Sequence, residues 1–187
     1  TVLATAVRAE GPKKGGTLKI GLQGGESTNS LDPALAASQV PYHNLHQFGE
    51  TLVEVKADGS IGYRLAESVE STPDAKTWMF KMRSGVEFHN GKTVTAQDAL
   101  ETLQRHSGED TKSDALGIMR GIESMSVDGD TLVVNLPSGN ADLPYLMADY
   151  HLIIQPGGGV DNPGAGIGTG AYKVEVDEPG VRHGGVR

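Results

Sequence analysis

Between Thr77 and Arg83 the side chains alternate, with Trp78, Phe80 and Met82 on one side and Thr77, Met79, Lys81 and Arg83 on the other. That period of two predicts a strand with one buried face. Asn90-Gly91 then supplies the left-handed backbone of a tight turn, and Thr95-Ala-Gln-Asp98 opens a helix as a capping box. Ala96, Ala99, Leu100 and Leu103 follow at helical spacing, and the helix is expected to end near His106-Ser107-Gly108. A strand, a turn and a helix in such close succession call for a mixed α/β fold. The 26 glycines, nine prolines and 5% aromatic content of the 187 residues agree, since they favour many turns and short elements.

The other elements are read in the same way. Leu18, Ile20 and Leu22 share one side of an expected first strand over 17–22, which runs into the polar, glycine-rich loop Gln23 to Ser30. A helix over 40–48 and a strand over 51–56 ending at Asp58-Gly59 follow, then an apolar-polar segment over 64–70 before the turn at Ser71-Thr-Pro-Asp74. Asp128-Gly129 between 122–127 and 131–136 predicts a hairpin. Leu143 to Met147 is expected to be a short helix, His151 to Gln155 a short apolar strand and Ala171 to Val176 a last strand after a glycine-rich connection. Residues 181–187 offer nothing to finish that strand.

Charge and composition exclude several kinds of function. With 16 Lys and Arg against 24 Asp and Glu, the formal net charge is -8, which opposes phosphate backbones and anionic lipid surfaces; nucleic acid is not an expected partner. Cysteine is absent, so disulfides, thiolate catalysis and Cys-based zinc sites are excluded. No apolar run reaches the roughly 18 to 20 residues that span a bilayer. Thr1 to Ala9 is small and apolar and ends Val7-Arg-Ala9, which reads either as the tail of an export signal or as an unstructured leader.

Each candidate for chemistry has a plainer reading beside it. Gly85 to Thr93 evokes a phosphate-binding loop, but the glycine spacing is one residue too long and Lys92 falls in a turn ahead of the helix start. Gly164 to Gly170 evokes a dinucleotide fingerprint, but the third required glycine falls on Thr169; a flexible connection explains it better. His43, His46 and Glu50 would share a helix face as metal ligands, against an ordinary surface or hinge role. Acidic pairs such as Asp98 with Glu101 read as solvated helix surface, and no serine sits in a Gly-x-Ser-x-Gly elbow. No catalytic constellation emerges, and no cofactor or metal is expected.

Gly15-Gly-Thr-Leu-Lys-Ile-Gly21, Ser30-Leu-Asp-Pro33, Glu50-Thr-Leu-Val53, Leu65-Ala-Glu-Ser68, Thr77 to Arg83, Gly85 to Gly91, Val94 to Ala99 and Gly168-Thr-Gly-Ala-Tyr-Lys173 together resemble the peptide/nickel class of extracytoplasmic solute-binding proteins, family 5, which serve ABC importers. The resemblance runs from about Gly15 to Gly180. It implies a type II periplasmic-binding-protein-like α/β fold in which this chain is an N-terminal fragment: leader over 1–14, start of the first lobe over 15–46, an inserted α+β subdomain over 47–155, and the return strand over 156–187. It also implies an exported, periplasmic protein that captures a peptide-like or related solute for an ABC permease. The signature residues are packing and turn devices, so the ligand-binding candidates lie elsewhere: Gln23, Gly24, Glu26, Ser27 and Asn29 in the loop after the first strand, with Tyr42, Tyr150 and His151. Two other readings remain open, a small enzyme or phosphate-ligand binder using the glycine-rich loops and a ligand-sensing module for a membrane receptor.

Overall fold

The computed structural model describes residues 15–187, so the leader expected over 1–14 lies outside the described residues. A 3-10 turn at Pro33–Leu35 precedes α1 (Gln39–Phe48), β1 (Val53–Val55), β2 (Ile61–Tyr63), β3 (Ala66–Ser71), β4 (Thr77–Met82), α2 (Ala96–Ser107) and α3 (Leu116–Met119). Then come β5 (Ser124–Asp128), β6 (Thr131–Asn135), α4 (Leu143–Leu146), 3-10 turns at Tyr150–Leu152 and Pro156–Gly159, and β7 (Lys173–Glu178) with β8 (Arg182–Val186).

The alternating segment is β4, inside a four-stranded antiparallel sheet ordered β3-β4-β6-β5. Trp78, Phe80 and Met82 are buried, and α2 adds Ala96, Ala99, Leu100 and Leu103 to the same core. Each large side chain so buried contributes about 1.5–3 kcal/mol. The start of α2 carries the expected reciprocal cap: Thr95 Oγ1 accepts from the Asp98 amide at 3.2 Å, and Asp98 Oδ2 accepts from the Thr95 amide at 2.9 Å. Ahead of it, Gly91 has φ +80° and the Phe88 amide donates to Lys92 O, so the segment that evokes a phosphate loop is a hairpin turn.

A second, smaller core gathers Leu31, Ala36, Leu45, Phe48 and Ile153, with Tyr150 and Val174 against it. It belongs to α1 and the segments that return to it. Arg105 of α2 joins the two regions, donating to Asp32 Oδ1 at 2.8 Å, to Asp32 Oδ2 at 3.3 Å and to Gln155 Oε1 at 3.3 Å. Asp32 Oδ1 also caps the turn that follows it, accepting from the Ala34 amide at 2.9 Å.

Four expectations are corrected. Residues 17–22 form no strand, because no described strand lies beside them to complete the ladder, and Leu18 is 83% exposed. His151–Gln155 is a 3-10 turn followed by buried extended chain that joins no sheet; the Ile154 amide donates to Glu50 O at 3.0 Å and the Gln155 amide to the Thr102 hydroxyl at 3.2 Å. Residues 182–186, read as an unfinished end, pair with β7 as β8. The hairpin turn shifts by one residue, since Asp128 pairs with Thr131 and Gly129-Asp130 makes the loop, with Gly129 at φ +60°.

Candidate functional site

The site is built on α1. Pro41 falls in the first turn, where a missing amide donor costs the helix nothing. The residue before the helix, Ser38, donates its hydroxyl to Gly24 O at 3.4 Å and so anchors the loop that precedes it. Asn29 Nδ2 donates to the same carbonyl at 3.2 Å, and the Asn29 amide donates to Glu26 O at 3.0 Å. Gly180, in the turn between β7 and β8, is so close to Glu26 and Ser27 that a Cβ there would lie 3.0 Å from their backbone. The loop from Gln23 to Asn29 is thus wedged between the start of α1 and the last hairpin, with Gln23, Gly24, Glu26 and Ser27 exposed.

Tyr42 stands on the exposed side of the first turn of α1. Its ring meets Tyr150 edge-on with centroids 5.0 Å apart, and His46, one turn along, at 4.5 Å. The Tyr150 hydroxyl donates to Ala36 O at 3.2 Å, which fixes the ring; burial and then the charges of Asp149 and Asp114 push its pKa up. Burial, with the nearby His43 and Arg64, holds the His46 pKa below its ordinary value, so this imidazole stays neutral at pH 7.

Behind this aromatic edge lies a cavity of about 390 Å³, within the range of small-molecule sites. Tyr42, His46, Asp149, Tyr150, Glu50, Glu54 and Arg64 are among the residues that line it. Arg64 lies 2.7 Å from Glu54 Oε2 and 3.5 Å from Glu50 Oε1, while Glu50 Oε2 accepts from the Thr169 hydroxyl at 3.0 Å. Glu50 is therefore committed to Arg64 and Thr169, not to the two histidines with which it shares a sequence spacing.

Gly170 and Ala171 close the cavity. The glycine-rich connection presses onto the end of α1, where the Gly170 amide donates to Phe48 O at 2.8 Å and the Tyr172 amide to Gln47 O at 3.0 Å. From the turn between β4 and α2, the His89 amide donates to Gly168 O at 2.8 Å and His89 Nε2 lies 2.8 Å from Gly170 O. Glycine is used here for close backbone approach.

The structure therefore brings Tyr42 and Tyr150 together at one cavity, sets the loop from Gln23 to Asn29 beside the helix that carries Tyr42, and places His151 behind the wall. His151 is 5% exposed, with Nδ1 2.6 Å from Asp149 Oδ1 and Nε2 3.1 Å from Ala36 O. Burial opposes its charge, but the Asp149 carboxylate, the Ala36 carbonyl and Asp114 outweigh burial and raise its pKa. Both ring nitrogens face acceptors, as an imidazolium requires.

His106 behaves in the opposite way. It is fully buried with Nδ1 2.5 Å from Ser113 Oγ, and burial, then Arg105, lower its pKa from 6.5 to about 4. Because the fold favours the neutral ring, this contribution is complete above about pH 6.5 and is lost as the pH falls toward 4. The gap corresponds to about 3 kcal/mol. His151, with a raised pKa, contributes below the ordinary histidine value and loses that contribution as the pH rises through its folded value. Urea midpoints measured across pH 4–7 should therefore fall on the acid side, and His106→Phe should flatten that fall while His151→Gln should not.

A mixed α/β lobe with a small inserted sheet and a return hairpin has the fold of type II periplasmic binding proteins. The chain belongs to the bacterial extracellular solute-binding proteins, family 5, whose profile, described as family 5 Middle, matches residues 60–185. The uncharacterized protein YhjP of Bacillus subtilis is 30% identical over 158 residues, a stretch covering 83% of this chain and 27% of YhjP. The oligopeptide-binding protein OppA of the same organism is 41% identical over 69 residues, covering 37% of this chain and 13% of OppA. Among solved structures, the periplasmic binding protein AgaA of A. tumefaciens R10, in complex with agropinic acid, superposes with a TM-score of 0.75 at 28% identity. That match covers 82% of this chain and 32% of AgaA. A nickel ABC transporter protein of Bacillus halodurans gives 0.69 at 27% identity, covering 87% of this chain and 33% of its own. The chain thus spans about a third or less of these relatives.

Proposed function

We propose that this chain contributes one wall of the binding cleft of an exported receptor, which captures a peptide-like or related small solute and passes it to the permease of an ABC importer. The observation that carries the reading is the cavity walled by Tyr42 and Tyr150, in a chain whose family is that of solute-binding proteins. On this reading Tyr42 and Tyr150 pack against the solute. Gln23, Gly24, Glu26, Ser27 and Asn29 form a polar rim at the start of α1, and His151 holds Asp149 and the Tyr150 segment in place. The work is binding, without catalysis: relatives such as OppA carry the name of binding proteins.

A ligand that binds only the folded state raises the melting temperature. The full-length protein, screened against short peptides and metal chelates, should show such a rise for at least one class. The absence of any shift across the panel would defeat this reading.

A further inference from the structure

We propose that the cavity, on the reading that it holds the solute, selects an organic cation: a protonated amine lying against the ring of Tyr42 with its charge turned toward Glu50 and Glu54. Glu50 and Glu54 share the single guanidinium of Arg64, at 3.5 Å and 2.7 Å, so their charge is not balanced within the cavity. Asp149 adds a third carboxylate to the lining, and its partner is the His151 ring behind the wall, 2.6 Å away.

His46, the other nitrogen base in the lining, supplies no positive charge at neutral pH, because burial, with His43 and Arg64 nearby, holds its pKa below the ordinary value. The aromatic side suits the same ligand. A tyrosine ring presents a negative face that attracts ammonium groups within about 6 Å. Tyr42 is 41% exposed, which leaves part of its ring open to a guest, while the Tyr150 ring packs against His151 with centroids 4.0 Å apart. The net charge of -8 over the whole chain further favours the approach of cations.

The test uses the full-length protein and three peptides of equal length: trilysine, trilysine acetylated at every amine, and triglutamate. Calorimetry should give trilysine an affinity about tenfold above either other peptide, with the advantage shrinking as salt is added. Two variants must then move that affinity in opposite directions. Glu54→Gln leaves the guanidinium less neutralised and should weaken trilysine about tenfold, whereas Arg64→Met frees both carboxylates and should tighten it. A residue that merely supported the wall would weaken binding in either case. Equal or better binding of triglutamate or the acetylated peptide, or movement of both variants in the same direction, would overturn the charge selection and leave the receptor reading standing. Failure of all three peptides to bind would overturn the selection, and the receptor reading would then rest on the wider screen.

Discussion

Gly170→Ala is expected to lower stability by about 3 kcal/mol and to loosen the wall of the cavity as it does so. An added Cβ would sit 2.5 Å from Gln47 O and 2.6 Å from Phe48 C, both backbone atoms at the end of α1 that cannot step aside as a side chain can. Gly168 is held in the same way against Phe48 and Gly49, with its Cβ position 2.9 Å from Gly49 Cα. Relief of the clash would cost the bonds from the Gly170 and Tyr172 amides to α1 and the His89 contact with Gly170 O. Gly164→Ala is the control, because a Cβ there meets only Ser30 Oγ at 3.8 Å and should cost little. Chemical denaturation of the two variants reads the difference directly, and equal midpoints for Gly170→Ala and Gly164→Ala would refute this packing.

The second large effect belongs to Asp32 and Arg105. Their side chains are only 13% and 16% exposed, so Asp32→Ala leaves a guanidinium out of water with Gln155 as its remaining partner, and it uncaps the turn at Ala34. A loss of about 3 kcal/mol is expected, near the lower end for breaking a buried pair because some solvent still reaches it. Arg105→Met alone strands the carboxylate and should cost a similar amount. The double variant should cost less than the sum of the two single ones, since neither charge is then left unpaired. Strict additivity would show that the two residues do not hold the regions together.

These two effects differ in how far the sequence reveals them. The alternation of Trp78, Phe80 and Met82, the Thr95–Asp98 cap and the Asn90-Gly91 turn are local devices, so β4, α2 and the turn between them are legible from neighbouring residues alone. The strand expected at Leu18, Ile20 and Leu22 has the right period, but a ladder needs a neighbour, and among the described residues none is beside it. Residues 182–186 show the reverse: His183, Gly184 and Gly185 carry no strand pattern, yet β7 supplies the partner that makes them one.

The cavity was legible in part. Tyr42 and Tyr150, expected from the sequence as ligand contacts, meet at the cavity, but Glu54 and Arg64 carry no local signal. Their roles come from the antiparallel pairing of β1 with β2, which sets Glu54 opposite Gly62 and brings Arg64 to the same edge. The glycines at 168 and 170 were read as a connection, and their reason lies in α1, far away in sequence and touching in space.

Titration of the full-length protein with the peptide that stabilises it best, in parallel with Tyr42→Ala, tests most directly whether this cavity holds the solute. Tyr42 is 41% exposed and belongs to neither hydrophobic core, so the variant should keep its melting temperature while losing about tenfold or more in affinity. An unchanged affinity in a folded Tyr42→Ala protein would place the solute elsewhere.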